Sequence, residues 1–167
     1  MQNDSIALRV SSPSFADGGP MPARHTGFGE DVSPALALHD LDARAVTLAI
    51  VMDDLDIPFI PAYTHWLIWN LPAWESIPEA LPPGAQLPEC GGAQQGLGYG
   101  RHRYRGPKPP IFEWRRHRYV FHVYALDVRL NLPADARRRD LLRAMQGHIL
   151  QQAKLTGTCR RRDVFFH

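Results

Sequence analysis

The chain has 167 residues, 44% of them hydrophobic, which predicts one folded domain spanning 1–167 and excludes a disordered segment. Its net charge of +2 conceals a split: residues 1–100 carry three Arg, no Lys and twelve Asp or Glu, whereas 101–167 carry sixteen Lys or Arg and five Asp or Glu. Such a split can mark a nucleic-acid-binding tail, but the basic half also contains apolar strands and a helix, so the expectation is one domain whose halves neutralise each other, with no nucleic-acid partner.

No apolar run approaches the roughly 20 residues a membrane span needs. The N-terminal MQNDSIALRV lacks a basic stretch followed by an apolar one, so no signal peptide is expected and the cytoplasm is the predicted location, with the periplasm the alternative for an already processed chain. Cys90 and Cys159 are the two cysteines, neither is part of a CxxC pair, and two free thiols are the expectation.

In chain order, Ile6 to Val10 reads as an edge strand. Ser11 to Glu30 carries seven Gly and Pro and reads as a surface loop, pinned to the core by Phe15 and Phe28. Ser33 to Leu36 starts a short strand, and Asp40 to Ala43 is a turn. Ala45 to Met52 (AVTLAIVM) is a continuous apolar run of strand length, which suits a strand covered on both faces. Tyr63 to Leu71 (YTHWLIWNL) has the same character; simple alternation puts His65, Leu67 and Trp69 on one face and Trp66, Ile68 and Asn70 on the other. Pro72 to Gly100 is broken by Pro and Gly and exceeds an ordinary loop, so it is either functional or packed as a folded excursion. Arg118 to Asp127 is a third buried strand, with Tyr119, Phe121 and Val123 on the face of His117. A helix capped near Asp135 is predicted to run to about Lys154 through Leu141, Leu142, Met145 and Ile149, with Gly147 inside it against a close neighbour and Gly157 as its terminator. Arg160 to His167 forms a last short strand. Strong strands in Pro- and Gly-rich connections, with one helix, predict a mainly β fold.

The candidate chemistry lies in two similar segments. Asp54-Leu55-Asp56-Ile57-Pro58 follows a buried strand and leads to His65; Gly106-Pro107-Lys108-Pro109-Pro110 leads to His117. The aspartates can simply shape the turn by accepting backbone N–H bonds. Alternatively, one carboxylate faces a pocket and orients a histidine by accepting its ring N–H. GxSxG, P-loop, HExxH and GxGxxG signatures are absent. The His/Asp cluster could in principle serve acid–base hydrolysis, but no nucleophile accompanies it and no enzyme activity is expected. No HxH or HxxxH pair anchors a metal, and neither metal nor cofactor is expected.

These segments resemble the phosphatidylethanolamine-binding protein family, in particular its bacterial Raf-kinase-inhibitor-like branch. The family's DPDAP element is similar to Asp54–Pro58, its HWVVxNIP element to His65–Pro72, and its YxGPxPPxG…HRYxFxxYALD element to Tyr104–Asp127. FADGGPMP from Phe15 to Pro22, VSPAL from Val32 to Leu36 and AMQGHILQQAKLTG from Ala144 to Gly157 extend the likeness over most of the chain. The resemblance implies a β-sandwich of antiparallel sheets with a few peripheral helices. It also implies a small pocket for a phosphate-like or carboxylate anion, with Asp54, Asp56, Pro58, His65, Pro109, Pro110, His117 and Tyr119 as ligand-binding residues. Leu55 and Ile57 depart from the family pattern, and the bulky, charged Ile111 to Arg116 replaces a glycine after the double proline. A protein-interaction or inhibitor module with a vestigial pocket is the alternative function, and exposed Phe112 and Trp114 suggest a homodimer.

Overall fold

A computed structural model describes residues 6–164. Strands β1 (Arg9–Ser11), β2 (Leu36–His39) and β5 (Ser76–Ile77) form one antiparallel sheet, in the order β1-β2-β5. Six more, β3 (Thr47–Asp54), β4 (Tyr63–Pro72), β6 (Gln86–Leu87), β7 (Ala93–Gln95), β8 (His117–Leu126) and β9 (Ile149–Cys159), form a second antiparallel sheet, ordered β6-β7-β4-β3-β8-β9. The fold is the mainly β sandwich that the sequence predicts.

Why β3 and β4 are apolar through Leu48–Met52 and Trp66–Trp69 follows from what covers them. Leu48, Ile50 and Met52 pack toward the small sheet with Leu36, Leu38, Trp66, Ile68, Phe121 and Val123. Ala49 and Val51 point the other way, into a second core with Leu67, Trp69, Leu141 and Met145. The second core lies under helix α1 (Arg138–Met145), so the central strands are buried on both faces.

The helix is the main correction. It stops at Met145, and Ile149–Cys159 is the longest strand of the protein instead of a helix continuing to Lys154. Gly147 sits at φ +80° with open space around its missing Cβ, so it turns the chain rather than admitting a close neighbour. Beyond it, β9 pairs with β8 from Leu126↔Ile149 to His117↔Cys159. This long ladder satisfies backbone groups that a helix end would leave open, and it overrides the helical spacing of Leu141, Met145 and Ile149. Gly157 lies inside β9, where a Cβ would come 2.7 Å from Met21 Sδ, so it is a packing glycine and not a helix terminator. The cap is also displaced from Asp135: Asp140 accepts the Arg137 N–H at 2.9 Å.

Smaller differences are shifts of register. The first strand is Arg9–Ser11 rather than Ile6–Val10, and the second is Leu36–His39 rather than Ser33–Leu36, because the two pair as Arg9↔His39 and Ser11↔Ala37. Pro72–Gly100 contains the short strands β5 to β7. Arg161–Val164 is a 3₁₀ turn rather than a strand, and the remainder of that prediction lies outside the described residues. The acidic and basic halves meet as expected, through Asp31 with Arg103 and Arg105, Asp53 with Arg138 and Asp56 with Arg118. Among the described residues, no helix is long and apolar enough to cross a membrane.

Candidate functional site

The ends of β3, β4 and β8 converge on a cavity of about 160 Å³. Asp54 is the last residue of β3 and pairs with Tyr119 on one side and Tyr63 on the other. That register sets Asp54, Tyr119 and Tyr63 side by side on one face of the sheet. His117 opens β8 and, two residues before Tyr119, shares its face.

His65 arrives by a different device. Met52 pairs with Trp66 but Asp53 pairs with Thr64, so His65 is an extra residue at a β-bulge. The bulge breaks the alternation expected from the sequence. Trp66 and Ile68 face the sandwich core, Leu67 and Trp69 face the helix, and His65 lies against Tyr119 with ring centroids 5.4 Å apart. A second shift, between Leu48 and Ile50, places Asn70 at φ 58°. Its side chain exchanges two 2.8 Å hydrogen bonds with the backbone of Leu130, a member of the helix-side core, rather than joining Trp66.

The proline loop closes the cavity and is itself held from three sides. Gly106 N–H donates to Asp31 Oδ1 at 2.7 Å, Pro107 O accepts from Gly27 N–H at 2.8 Å, and Pro109 O accepts from Arg161 Nη1 at 3.1 Å. Gly106 cannot be replaced freely, since a Cβ there would lie 2.9 Å from the Thr26 Cα. On the opposite side, Tyr99 N–H donates to Thr64 O at 2.9 Å and fixes the Tyr99 ring 5.0 Å from His65.

Hydrogen bonding defines the protonation pattern. Asp54 Oδ2 accepts from His117 Nδ1–H at 2.8 Å, and its Oδ1 accepts the Asp56 N–H at 2.8 Å. Both side chains are almost fully buried. Among the described residues, His117 Nε2 is buried without a hydrogen-bond partner; the Glu113 carboxylate stands 3.6 Å away, beyond hydrogen-bond length. His65 Nδ1 donates to the Arg105 carbonyl at 2.8 Å. Burial holds the His65 pKa below the usual histidine value, only partly offset by that carbonyl. Burial, reinforced by the Asp54 charge, pushes the Tyr119 phenol well above its ordinary range, so it stays a neutral donor.

The family model for phosphatidylethanolamine-binding protein matches residues 11–160. The chain belongs to this family. It is 40% identical over 156 residues to a UPF0098 protein of Methanothermobacter thermautotrophicus, covering 92% of this chain and 99% of the relative. It is 38% identical over 160 residues to a UPF0098 protein of Pyrococcus horikoshii, covering 95% and 79%. A crystal structure of a phosphatidylethanolamine-binding protein homologue from Chlamydia trachomatis superposes with a TM-score of 0.80 at 32% identity, covering 92% of this chain and 97% of that one. Escherichia coli YbcL, described as a member of the mammalian family, shares the fold with a TM-score of 0.79 at 22% identity, covering 93% and 99%.

Six of the eight residues singled out from the sequence line the cavity: Asp54, His65, Pro109, Pro110, His117 and Tyr119. Two do not. Asp56 is committed to Arg118, accepting from its backbone N–H at 2.7 Å, Nε at 3.0 Å and Nη2 at 3.0 Å, and the guanidinium holds its pKa below the usual carboxylate value. Pro58 is exposed in the turn before β4. Four lining residues escaped the sequence reading: Ile57, Tyr63, Tyr99 and Lys108. Tyr63 was discoverable, two residues before His65 and hence on its face up to the bulge. Tyr99 left no signal, because its approach depends on the course of the long Pro72–Gly100 excursion. Lys108 is exposed at the rim and brings the one cation among the lining residues.

A larger cavity, about 630 Å³, lies beside Cys159, Arg116 and Arg160. The smaller one is the better candidate, because it gathers two histidines, a buried carboxylate and three tyrosines. Among the described residues, no group of three or more His, Cys, Asp or Glu could hold a metal ion.

Proposed function

We propose that this member of the phosphatidylethanolamine-binding protein family binds a small oxyanion, of the phosphate, phosphoethanolamine or carboxylate type, in the cavity between His65, His117 and Tyr119. The observation that carries the reading is His117 Nε2: buried, without a hydrogen-bond partner among the described residues, and on a ring whose other nitrogen is already committed to Asp54. A buried polar atom without a partner costs about 1–3 kcal/mol, which an oxyanion accepting a hydrogen bond from Nε2–H would recover. Tyr119 O–H and Lys108 Nζ are further donors at the same cavity.

Size supports a headgroup rather than a whole lipid. The cavity of about 160 Å³ is small beside the roughly 300–1,000 Å³ of pockets that enclose drug-sized ligands. Charge sets a condition. Asp54 and Glu113 repel an anion, so binding is accompanied by proton uptake on the imidazoles and strengthens as the pH falls. No Ser, Thr or Cys is among the residues that line the cavity, and burial pushes the thiol of Cys159, beside the larger cavity, up to about 12. Binding without turnover is therefore the reading.

The test is thermal unfolding with phosphate, phosphoethanolamine or acetate, on wild type and His117→Ala. Ligand at about a hundred times its dissociation constant adds roughly 2.7 kcal/mol of stability, a shift of about 5–10 °C for a chain of this size. A shift that disappears in His117→Ala supports the reading. No shift with any of the three anions overturns it.

One observation favours a second reading, an interaction surface. Phe59, Ile111, Phe112 and Trp114 are largely exposed and flank cavity residues Ile57, Pro110 and His117 in the chain. Sedimentation of wild type against Phe112→Ser/Trp114→Ser checks it. Self-association lost in the double variant would assign the patch to a second copy of this chain, whereas a monomer in both cases removes the homodimer.

A further inference from the structure

We infer that Glu113 is the site's own anion, a carboxylate that caps His117 Nε2 and that an external oxyanion must displace to reach that nitrogen. The inference rests on the anion-binding reading above and names its gate.

The loop from Ile111 to Arg116 inverts the usual burial order. Ile111, Phe112 and Trp114 are 74%, 76% and 75% exposed, while the Glu113 side chain is only 12% exposed. Apolar residues ordinarily go inside and glutamate outside, and this loop reverses that order. What it turns the charge toward is His117: Glu113 Oε2 stands 3.6 Å from Nε2, and that nitrogen has no hydrogen-bond partner among the described residues.

Glu113 is also held in place. Its N–H donates to the Pro110 carbonyl at 2.9 Å, which closes the turn directly after the cavity-lining prolines. Its carboxylate accepts from the Arg115 backbone N–H at 2.9 Å, Arg115 Nε at 3.1 Å and Nη2 at 3.0 Å. Such a fork is a geometrically specific clamp. Arg115 holds the Glu113 pKa down to about 2, so the carboxylate stays charged under ordinary conditions. Nε2 is sealed from solvent. An incoming oxyanion therefore has to replace Glu113 there, and the Pro110–Glu113 turn has to open.

The Glu113 charge weighs on every incoming anion. A dianionic phosphate offers more charge and more acceptor oxygens to the donors of the site than a carboxylate does. The site is expected to prefer phosphate-bearing ligands to carboxylates, and removing the Glu113 charge should raise both affinities, that of the dianion by the larger factor.

The experiment compares phosphate and acetate affinities by calorimetry for wild type, Glu113→Gln and Glu113→Gln/His117→Ala. Two like charges about 4 Å apart, between a protein-surface and an aqueous dielectric, correspond to about fivefold to several hundredfold in affinity. Arg115 cancels part of this, so Glu113→Gln should bind phosphate about tenfold tighter and acetate tighter by a smaller factor, with both gains lost in the double variant. Trp114 provides a readout on the native loop: saturating phosphate should change wild-type tryptophan emission, and Trp114→Phe should remove that change. Equal affinities in wild type and Glu113→Gln, with binding still dependent on His117, overturn the gate and leave the anion site standing. A gain that survives in the double variant also overturns it, since the anion then binds elsewhere. Absence of phosphate and acetate binding in wild type and Glu113→Gln alike overturns both.

Discussion

Asp54→Asn isolates how the wild-type site handles its proton. Asp54 Oδ2 accepts from His117 Nδ1 at 2.8 Å, so a neutral ring carries its proton on Nδ1 and leaves Nε2 as a lone pair. Nε2 can donate to an oxyanion only after the ring takes up a second proton. Wherever the ring is neutral beforehand, binding consumes one proton, and affinity should rise by up to about tenfold per pH unit of acidification. Sulfate is the appropriate probe, because its own charge is constant near neutrality. An asparagine amide can instead donate to Nδ1 and move the ring proton to Nε2. The neutral ring is then already a donor, and the pH dependence should fall below about twofold per unit. The substitution has a stability cost, since Asp54 also accepts the Asp56 N–H at 2.8 Å and one amide oxygen cannot replace both carboxylate oxygens. Leaving one of these donors unmatched costs about 1–3 kcal/mol, or about 2–12 °C in Tm for this size. Sulfate titrations at several pH values on both proteins make the measurement. A folded Asp54→Asn protein that keeps the steep wild-type dependence would refute the assignment of Nε2 as the donor.

Three further outcomes follow from the same geometry. Burial lowers the His65 pKa, so the fold favours its neutral form; the stability this provides is present above the unfolded value of about 6.5 and is lost as pH falls through the lowered folded value. In urea unfolding, the stability advantage of wild type over His65→Gln should therefore shrink on acidification from about pH 7, and a constant difference would contradict the burial argument. Gly157→Val should destabilise by about 1–3 kcal/mol by driving into Met21 and Phe15, whereas Gly147→Ala should cost about 1 kcal/mol from its positive φ alone; equal Tm values for wild type and Gly157→Val would disprove the packing role. With its pKa pushed up to about 12 by burial, Cys159 should react with a disulfide reagent only when the protein unfolds, and fast reaction in native Cys90→Ser would show the thiol to be accessible.

The strands that a sequence can reveal are the ones whose environment is uniform along their length. The middles of Thr47–Asp54 and Tyr63–Pro72 are buried on both faces, so Leu48–Met52 and Trp66–Trp69 are apolar at every position and the runs are unmistakable. Ile149–Cys159 is different. Its first half is mostly open to solvent and mixes Gln, Lys and Ala, so neither a two-residue nor a helical period dominates, and the preceding helix lends it a false continuity. The decisive information is the ten-residue pairing with β8, which no local pattern carries. The same holds for the site. Six of its lining residues sit beside Pro-rich or strand-start signals that mark them in the sequence. Tyr99 and Glu113 reach it through loop paths that only tertiary structure fixes.

His65 shows why the face of a functional residue cannot be taken from alternation alone. With perfect alternation from Leu67 and Trp69, its imidazole would point into the core beneath α1, away from Asp54 and His117. The bulge between Met52 and Asp53 reverses that direction for His65 while leaving Leu67 and Trp69 where the helix needs them. It also turns Thr64 to the helix side, where its hydroxyl donates to Asp53 Oδ1 at 2.8 Å; Arg138 of α1 grips the same carboxylate at 3.0 Å. Asp53 and Asp54 are neighbours with opposite tasks: one anchors the helix, the other orients His117. A single extra residue in β4 allows one strand end to serve both faces. Straightening it would require His65 or Trp66 to leave its present face, so the bulge is tied to the site as firmly as the histidines themselves.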